Sequence, residues 1–276
     1  MMALTAVILP GDGEVRLGSV ALPLGRRVMA VAGEPVAWAT AAEVPAAGRV
    51  WAALSEAREQ TGLVPFLLAG LDQTTERPWD SGELQGRCDI SGLDHMDAAS
   101  VLAGLWDGKT HVGHEAEWGE DEDPESVALI EAQIAPFSRQ FPGLAPATEE
   151  QLDPATLADV LAARPAARIG LVPAARPADV LPLIGWFASD QFDDALPVAA
   201  VLRSWEDRFG ATLLEVGYSQ IRLLVRRPPR TAGTAQRIAA EQYAFCDERH
   251  HARSDGSIPG ITASLVGTPI WTFWWD

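Results

Sequence analysis

The strongest hydrophobic pattern lies at Leu196–Phe209, where Val198, Leu202, Trp205 and Phe209 recur at i, i+4, i+7 and i+11. That spacing lays one apolar stripe along a helix, with Pro197 suited to the first turn and Gly210 to the stop. Thr212–Val216 and Ile221–Val225 read as strands of a hairpin turned at Gly217–Gln220. Ala235–Cys246 reads as a second helix, Ile261–Val266 as a short third, and Ile270–Trp275 as a closing strand. Upstream, Arg168–Val172 is a strand ended by Pro173, and Ala178–Trp186 a short helix or turn. Hairpin strands interleaved with helices predict an α+β fold, a mainly antiparallel sheet with helices packed on it.

The N-terminal half reads as mixed α/β. Val28–Val31 and Val36–Thr40 are strands about the turn Gly33-Glu34-Pro35, and Gly48–Gln60 is a helix carrying Val50, Leu54 and Ala57. Thr61-Gly62 stops that helix, and Leu63–Leu68 follows as a buried strand in which Pro65 argues for a start or edge position. Met96–Trp106 and Ser126–Ile134 are further helices. Pro136, Pro142, Pro146 and the polar run Thr148–Asp153 read as a connection. The expected organisation is a mixed region over 1–145, a connection over 146–165 and an α+β unit over 166–276.

Charge changes this picture. The 276 residues hold 38 acids against 21 bases, a net −17, and Lys109 is the sole lysine. Residues 1–166 carry 26 acids and 10 bases, whereas 167–276 carry 12 and 11. Glu115, Glu117, Glu120, Asp121, Glu122, Asp123 and Glu125 crowd seven acids into one short stretch. Such a surface repels nucleic acid and anionic membranes and suits a basic protein partner, with those seven residues as the partner-binding candidates. Two cysteines, Cys88 and Cys246, are too few to staple the chain, which fits a cytoplasmic setting. Neither G-x-G-x-x-G nor G-x-x-x-x-G-K-[ST] nor G-x-S-x-G occurs, so no cofactor is expected and no catalytic residue is assigned.

Candidate chemistry is sparse. His111 and His114 in an H-x-x-H-E-x-E run are candidate metal ligands, weighed against histidines in a solvated acidic loop. Cys246 with His250 and His251 is a weaker cluster, because the thiol sits in an apolar helix stripe. Arg222, Arg226, Arg227 and Arg230 form a basic cluster, read first as balancing acids and second as an anion-binding patch. Arg203 and Asp207 are spaced for a helix-surface ion pair, and Asp276 could meet Arg203 or Arg208. Aromatics throughout Trp271–Trp275 predict a strand buried on both faces. Two functions follow: an interaction module, immunity-type or regulatory, with an acidic surface; or an enzyme or small-molecule binder. The second would use a pocket between the halves and residues such as Asp80, Glu83, His111 and His114.

The strings RSWEDRFGA (Arg203–Ala211), RRPP (Arg226–Pro229), YAFC (Tyr243–Cys246) and WTFWWD (Trp271–Asp276) resemble bacterial domain of unknown function 4253. Upstream, TGLVPFLLAGLD (Thr61–Asp72) and RPWDSGEL (Arg77–Leu84) are similar to segments that accompany that domain. The chain departs from the resemblance at WFASDQF (Trp186–Phe192) and at Arg249-His250-His251. The resemblance implies a fold unit over about the last hundred residues and no activity.

Overall fold

A computed structural model describes residues 8–71, 76–111, 124–187, 192–246 and 255–275. The N-terminal part supplies β1 (Gly13–Leu17), β2 (Val20–Met29), β3 (Pro35–Thr40), β4 (Val44–Pro45) and β5 (Leu63–Leu68). The C-terminal part supplies β6 (Ala166–Pro173), β7 (Ala211–Val216), β8 (Gln220–Val225) and β9 (Ile270–Trp274). These strands form one sheet in the order β1-β2-β3-β6-β5-β7-β8-β9, with β4 paired onto β6. The pairings are antiparallel except β5 with β7, which is parallel. The fold is α+β with a mainly antiparallel sheet.

The helices are α1 (Ala47–Glu56), α2 (Arg58–Thr61), α3 (Ala98–Thr110), α4 (Pro124–Ile134) and α5 (Pro154–Ala162), then α6 (Val180–Ile184), α7 (Leu196–Phe209), α8 (Ala232–Phe245) and α9 (Ile258–Leu265). Alternation along the strands divides the core between the two sheet faces. Trp38, Leu67, Ile169, Leu171, Leu214 and Leu224 pack with Trp51 and Leu54 of α1 and Leu161 of α5. Phe66, Leu68, Val172, Leu213 and Ile221 face the other way, against α3 and α6 to α9. The α7 stripe is buried there, and Gly210 ends the helix at φ 60°, a left-handed turn that glycine adopts without steric cost. No helix among the described residues is long and apolar enough to cross a membrane.

Several expectations need correction. β5 is internal, buried along its whole length, and not an edge strand. Pro65 is tolerated because the parallel ladder is registered at Leu67↔Glu215 and Leu68↔Val216, past the proline. The 146–165 segment contains α5, capped by Asp153, which accepts from Thr156 N at 2.9 Å. Strands from the two sides of that segment interleave, since β6 sits between β3 and β5 while β5 separates β6 from β7. β9 is a sheet edge: Trp271, Phe273 and Trp275 are buried, but Trp274 is 41% exposed. One face of that strand is core, not two.

Candidate functional site

The parallel pair β5–β7 continues for one residue past β5, where Ala69 N donates to Val216 O at 2.8 Å. Two buried indoles then take up the next carbonyls. Trp79 Nε1 donates to Ala69 O at 2.7 Å, and Trp186 Nε1 donates to Gly217 O at 2.9 Å. Trp79 is held against Phe66 (centroids 5.5 Å apart) and Trp186 edge-on to Trp275 (5.6 Å). These indoles fix two walls, the 77–85 segment on one side and the turns at Trp186 and Tyr218 on the other. Carboxyl ends of parallel strands are a common place for ligands in open sheets.

Charges pin the RPWDSGEL segment to the C-terminal part. Asp80 accepts from Arg168 Nη1 at 2.9 Å and from Arg26 Nη2 at 2.7 Å. Burial opposes ionisation of Asp80, but the hydrogen bonds from Arg168 and Arg26 outweigh it and hold its carboxyl below the usual range. Arg168, nearly buried, also donates through Nε to Thr40 O at 2.8 Å. Arg77 Nε bonds both oxygens of Glu83 at 2.8 Å, and Ser81 donates to the same carboxylate. The Arg77 hydrogen bonds hold the Glu83 carboxyl low, so it stands as a carboxylate at neutral pH.

Between the walls lies a cleft of about 340 Å³ lined by Val31, Pro78, Glu83, Gln85, Phe187 and Tyr218, with Trp186 at its base. Arg77 lies over the Tyr218 ring, 4.5 Å from its centroid. Val31 and Phe187 are 64% and 44% exposed, unusual for large apolar side chains beside a charged pair. Gly185, at φ 65°, ends α6 and bonds Gln85 in return: Gln85 N donates to Gly185 O at 2.8 Å. A Cβ on Gly185 would stand 2.1 Å from Gln85 O, so only glycine lets the cleft wall lie this close. A second, shallower groove of about 440 Å³ runs between α3 and the start of α7, lined by Met96, Val101, Leu105 and Phe192 with Asp193 and Asp194. Among the described residues its lining holds one aromatic ring and two acids but no cation.

The candidates named from sequence fall in several places. Glu83 lines the cleft; Asp80, held by Arg168 and Arg26, and His111 do not. His111 ends α3, with Nδ1 2.9 Å from Asp107 Oδ1. His114, Glu115, Glu117, Glu120, Asp121, Glu122 and Asp123 lie outside the described residues, and Glu125 is exposed in the first turn of α4. Among the described residues no group of three or more His, Cys, Asp or Glu side chains is gathered to hold a metal. Cys246 is buried and donates Sγ–H to Trp274 O at 3.2 Å, while His250 and His251 lie outside the described residues. Burial, aided by Asp194, pushes the Cys88 thiol up, away from thiolate chemistry.

The α7 ion pair expected within the helix is not formed. Arg203 reaches Asp179 at 2.6 Å and Asp94 at 2.5 Å, and Asp207 pairs with Arg176 at 2.5 Å, because tertiary partners lie closer than the neighbouring turn. Arg208 turns inward to Glu241, and Asp276 lies outside the described residues. In the basic cluster, Arg222 pairs with Glu215 and Arg230 with Glu150, and Arg227 donates to Asp207 O. Sequence reasoning missed Arg77, Trp186, Phe187 and Tyr218 as site residues. The RPWDSGEL string carried Arg77 and the WFASDQF string Trp186 and Phe187, while Tyr218 stood only in the turn Gly217–Gln220.

The fold and cleft define an α+β protein with a pocket built by four separate stretches of chain, at Val31, 78–85, 186–187 and Tyr218. Residues 168–276 match the model of the family described as Domain of unknown function (DUF4253), the family that the four C-terminal strings resemble. The matched region holds most of β6 with β7, β8 and β9, and β5 from the N-terminal part fills the gap between β6 and β7. No curated protein and no solved structure matches the chain.

Proposed function

We propose that this protein binds a small amphipathic ligand in the cleft between the 77–85 segment and the Trp186–Tyr218 wall. The observation that carries this reading is the convergence of Arg77, Glu83 and Tyr218 beside the exposed apolar side chains of Val31 and Phe187. A ligand with a flat apolar body would cover Phe187 and Val31, and an N–H donor on it would meet the Glu83 carboxylate. Glu83 is ionised and already engaged by Arg77 and Ser81, which suits holding a ligand better than transferring a proton. The reading is therefore a binding protein. A ligand-observed NMR screen of small aromatic amines and amides tests it, using wild type, Phe187→Ala and Tyr218→Ala. Binders to wild type should weaken in both variants at little change in melting temperature. Equal binding in all three proteins removes the cleft from consideration.

A second reading rests on the charge split, 26 acids and 10 bases in 1–166 against 12 and 11 in 167–276. The acidic stretch Glu115–Glu125 would engage a basic protein partner in an immunity-type or regulatory role, with association slowed as salt rises. Neutralising Glu120, Asp121, Glu122 and Asp123 together should slow capture of such a partner. Unchanged rates at low and high salt would leave the stretch a solubilising segment. A cytoplasmic setting is supported by the two free cysteines, Cys88 and Cys246.

A further inference from the structure

Most arginines of this acidic chain are matched to acids or carbonyls. Among the described residues, those with neither an ion pair nor a side-chain hydrogen bond are Arg16, Arg49, Arg58, Arg226 and Arg237. Arg16, Arg49 and Arg237 are exposed, where water serves as the partner. Arg58 and Arg226 are half-buried, and both line one cavity of about 150 Å³. The cavity also takes in Val64, Pro65 and Thr212, so it lies at the amino ends of β5 and β7, opposite the cleft. Its two cations come from distant parts of the chain. Arg58 opens α2, and Arg226 follows β8 with its backbone tied by Leu152 N donating to Arg226 O at 2.8 Å.

Half-buried guanidiniums that make no ion pair and no side-chain hydrogen bond leave their donors open to an anion, and two lining one cavity can share it. Thr212 offers a hydroxyl that bonds no described side chain or backbone group, whereas the Ser55 hydroxyl is spent on Trp51 O at 2.8 Å. Among the described residues no acid lines the cavity, but Glu206 feels the Arg58 charge, which favours its ionised form. Its Oε2 is 3.6 Å from Arg176 Nε, it makes no ion pair with Arg58, and burial pushes its carboxyl up. It does not neutralise Arg58 at contact.

We propose that this cavity binds a small tetrahedral oxyanion, inorganic phosphate or the phosphate end of a monoester, between Arg58 and Arg226 with Thr212 as a third donor. One guanidinium fork would satisfy a carboxylate; two forks and a hydroxyl call for an anion with more oxygens and a second charge. A space of about 150 Å³ equals about five waters at ~30 Å³ each, which admits a phosphate group and leaves a nucleoside outside. The site shares no lining residue with the cleft, so it does not depend on the cleft reading.

Isothermal titration of inorganic phosphate, methyl phosphate and acetate into the full chain in chloride buffer tests the proposal. Phosphate should bind, and acetate should bind about tenfold more weakly or worse. Arg58→Gln and Arg226→Gln should each weaken phosphate about tenfold or more while the melting temperature in chloride stays near wild type. Glu206→Gln, which removes a nearby negative charge, should bind phosphate as tightly as wild type or tighter. Methyl phosphate binding on a par with phosphate assigns the site to monoesters, and exclusion of the methyl ester assigns it to the free ion. Absence of phosphate binding at millimolar concentration overturns the proposal, as does unchanged affinity in Arg226→Gln. If Arg58→Gln fails to fold, Arg226→Gln and Glu206→Gln still decide the matter.

Discussion

The Arg77 guanidinium lies over the Tyr218 ring, 4.5 Å from its centroid, joining residues 141 positions apart across the mouth of the cleft. Arg77 thus serves two partners, the ring beneath it and the Glu83 carboxylate beside it. Both contacts are on the surface, so they order the segment more than they stabilise the protein. Arg77→Gln should leave the melting temperature nearly unchanged. It should speed amide hydrogen exchange within residues 79–85 relative to the rest of the chain. Uniform exchange in wild type and variant would show that the indole bonds alone hold the wall.

Glu241 is wholly buried on α8. It takes two hydrogen bonds from Arg208 (2.7 and 2.6 Å), one from Trp205 Nε1 (2.7 Å) and one from Ala145 N (2.6 Å). The carboxylate thereby ties α7, α8 and the chain near Ala145 to one point. Removing it strands the Arg208 charge in the core. Glu241→Ala should cost about 3–5 kcal/mol of unfolding free energy in urea titration. A loss below about 1 kcal/mol would mean that water enters and solvates Arg208.

Two carboxylates give opposite pH signatures. Asp80 is held below its unfolded value, so its contribution is complete above about pH 3.9 and drains away as pH falls further. Glu206 is pushed up by burial, so the folded state keeps a proton that the unfolded state has lost. Stability therefore falls as pH rises from about 4.3 through the raised value. In thermal unfolding from pH 3 to 8, Asp80→Asn should differ most from wild type at neutral pH and converge with it in acid. Glu206→Gln should match or exceed wild-type stability at neutral pH. Parallel profiles for all three proteins would contradict both assignments.

The closing strand separates what a pattern can and cannot tell. Trp275 is 1% exposed and packs on Phe245 and Trp186, so Trp275→Ala should cost about 3–5 kcal/mol. Trp274 is 41% exposed on the open edge, and Trp274→Ala should cost under about 1 kcal/mol. Equal losses at the two positions would mean that another surface covers the edge. Alternation assigns the two residues to opposite faces, but aromatic content on both faces hides which one meets solvent.

The same limit runs through the fold. The α7 stripe, the β7–β8 hairpin and the apolar run of β5 are legible because each depends on local period and a nearby glycine or proline. The insertion of β5 between β6 and β7 is not, because strand order depends on pairings across a hundred residues or more. Pro65 misled for that reason: its cost depends on where the parallel ladder begins. α5 was hidden behind the polar run Thr148–Asp153, whose last residue is its N-cap, with Pro154 in the first turn. At the site, RPWDSGEL was visible as a string, yet its partners Arg168, Tyr218 and Ala69 are distant in sequence. Phe187 lies in the stretch where the chain departs from its family resemblance, so only the folded chain reveals it as cleft lining.

The cleft is tested most directly by following the tryptophan indole N–H signals in two-dimensional NMR while titrating a small aromatic amine into the full chain. Trp186 Nε1–H, bonded to Gly217 O at the cleft base, should shift together with the backbone amides of Gly82–Gln85 and Tyr218. Trp51 Nε1–H, bonded to Pro65 O at the opposite end of the strands, should stay in place. Shifts confined to Trp51, or spread evenly over all the indoles, would contradict a ligand site at the carboxyl ends of β5 and β7.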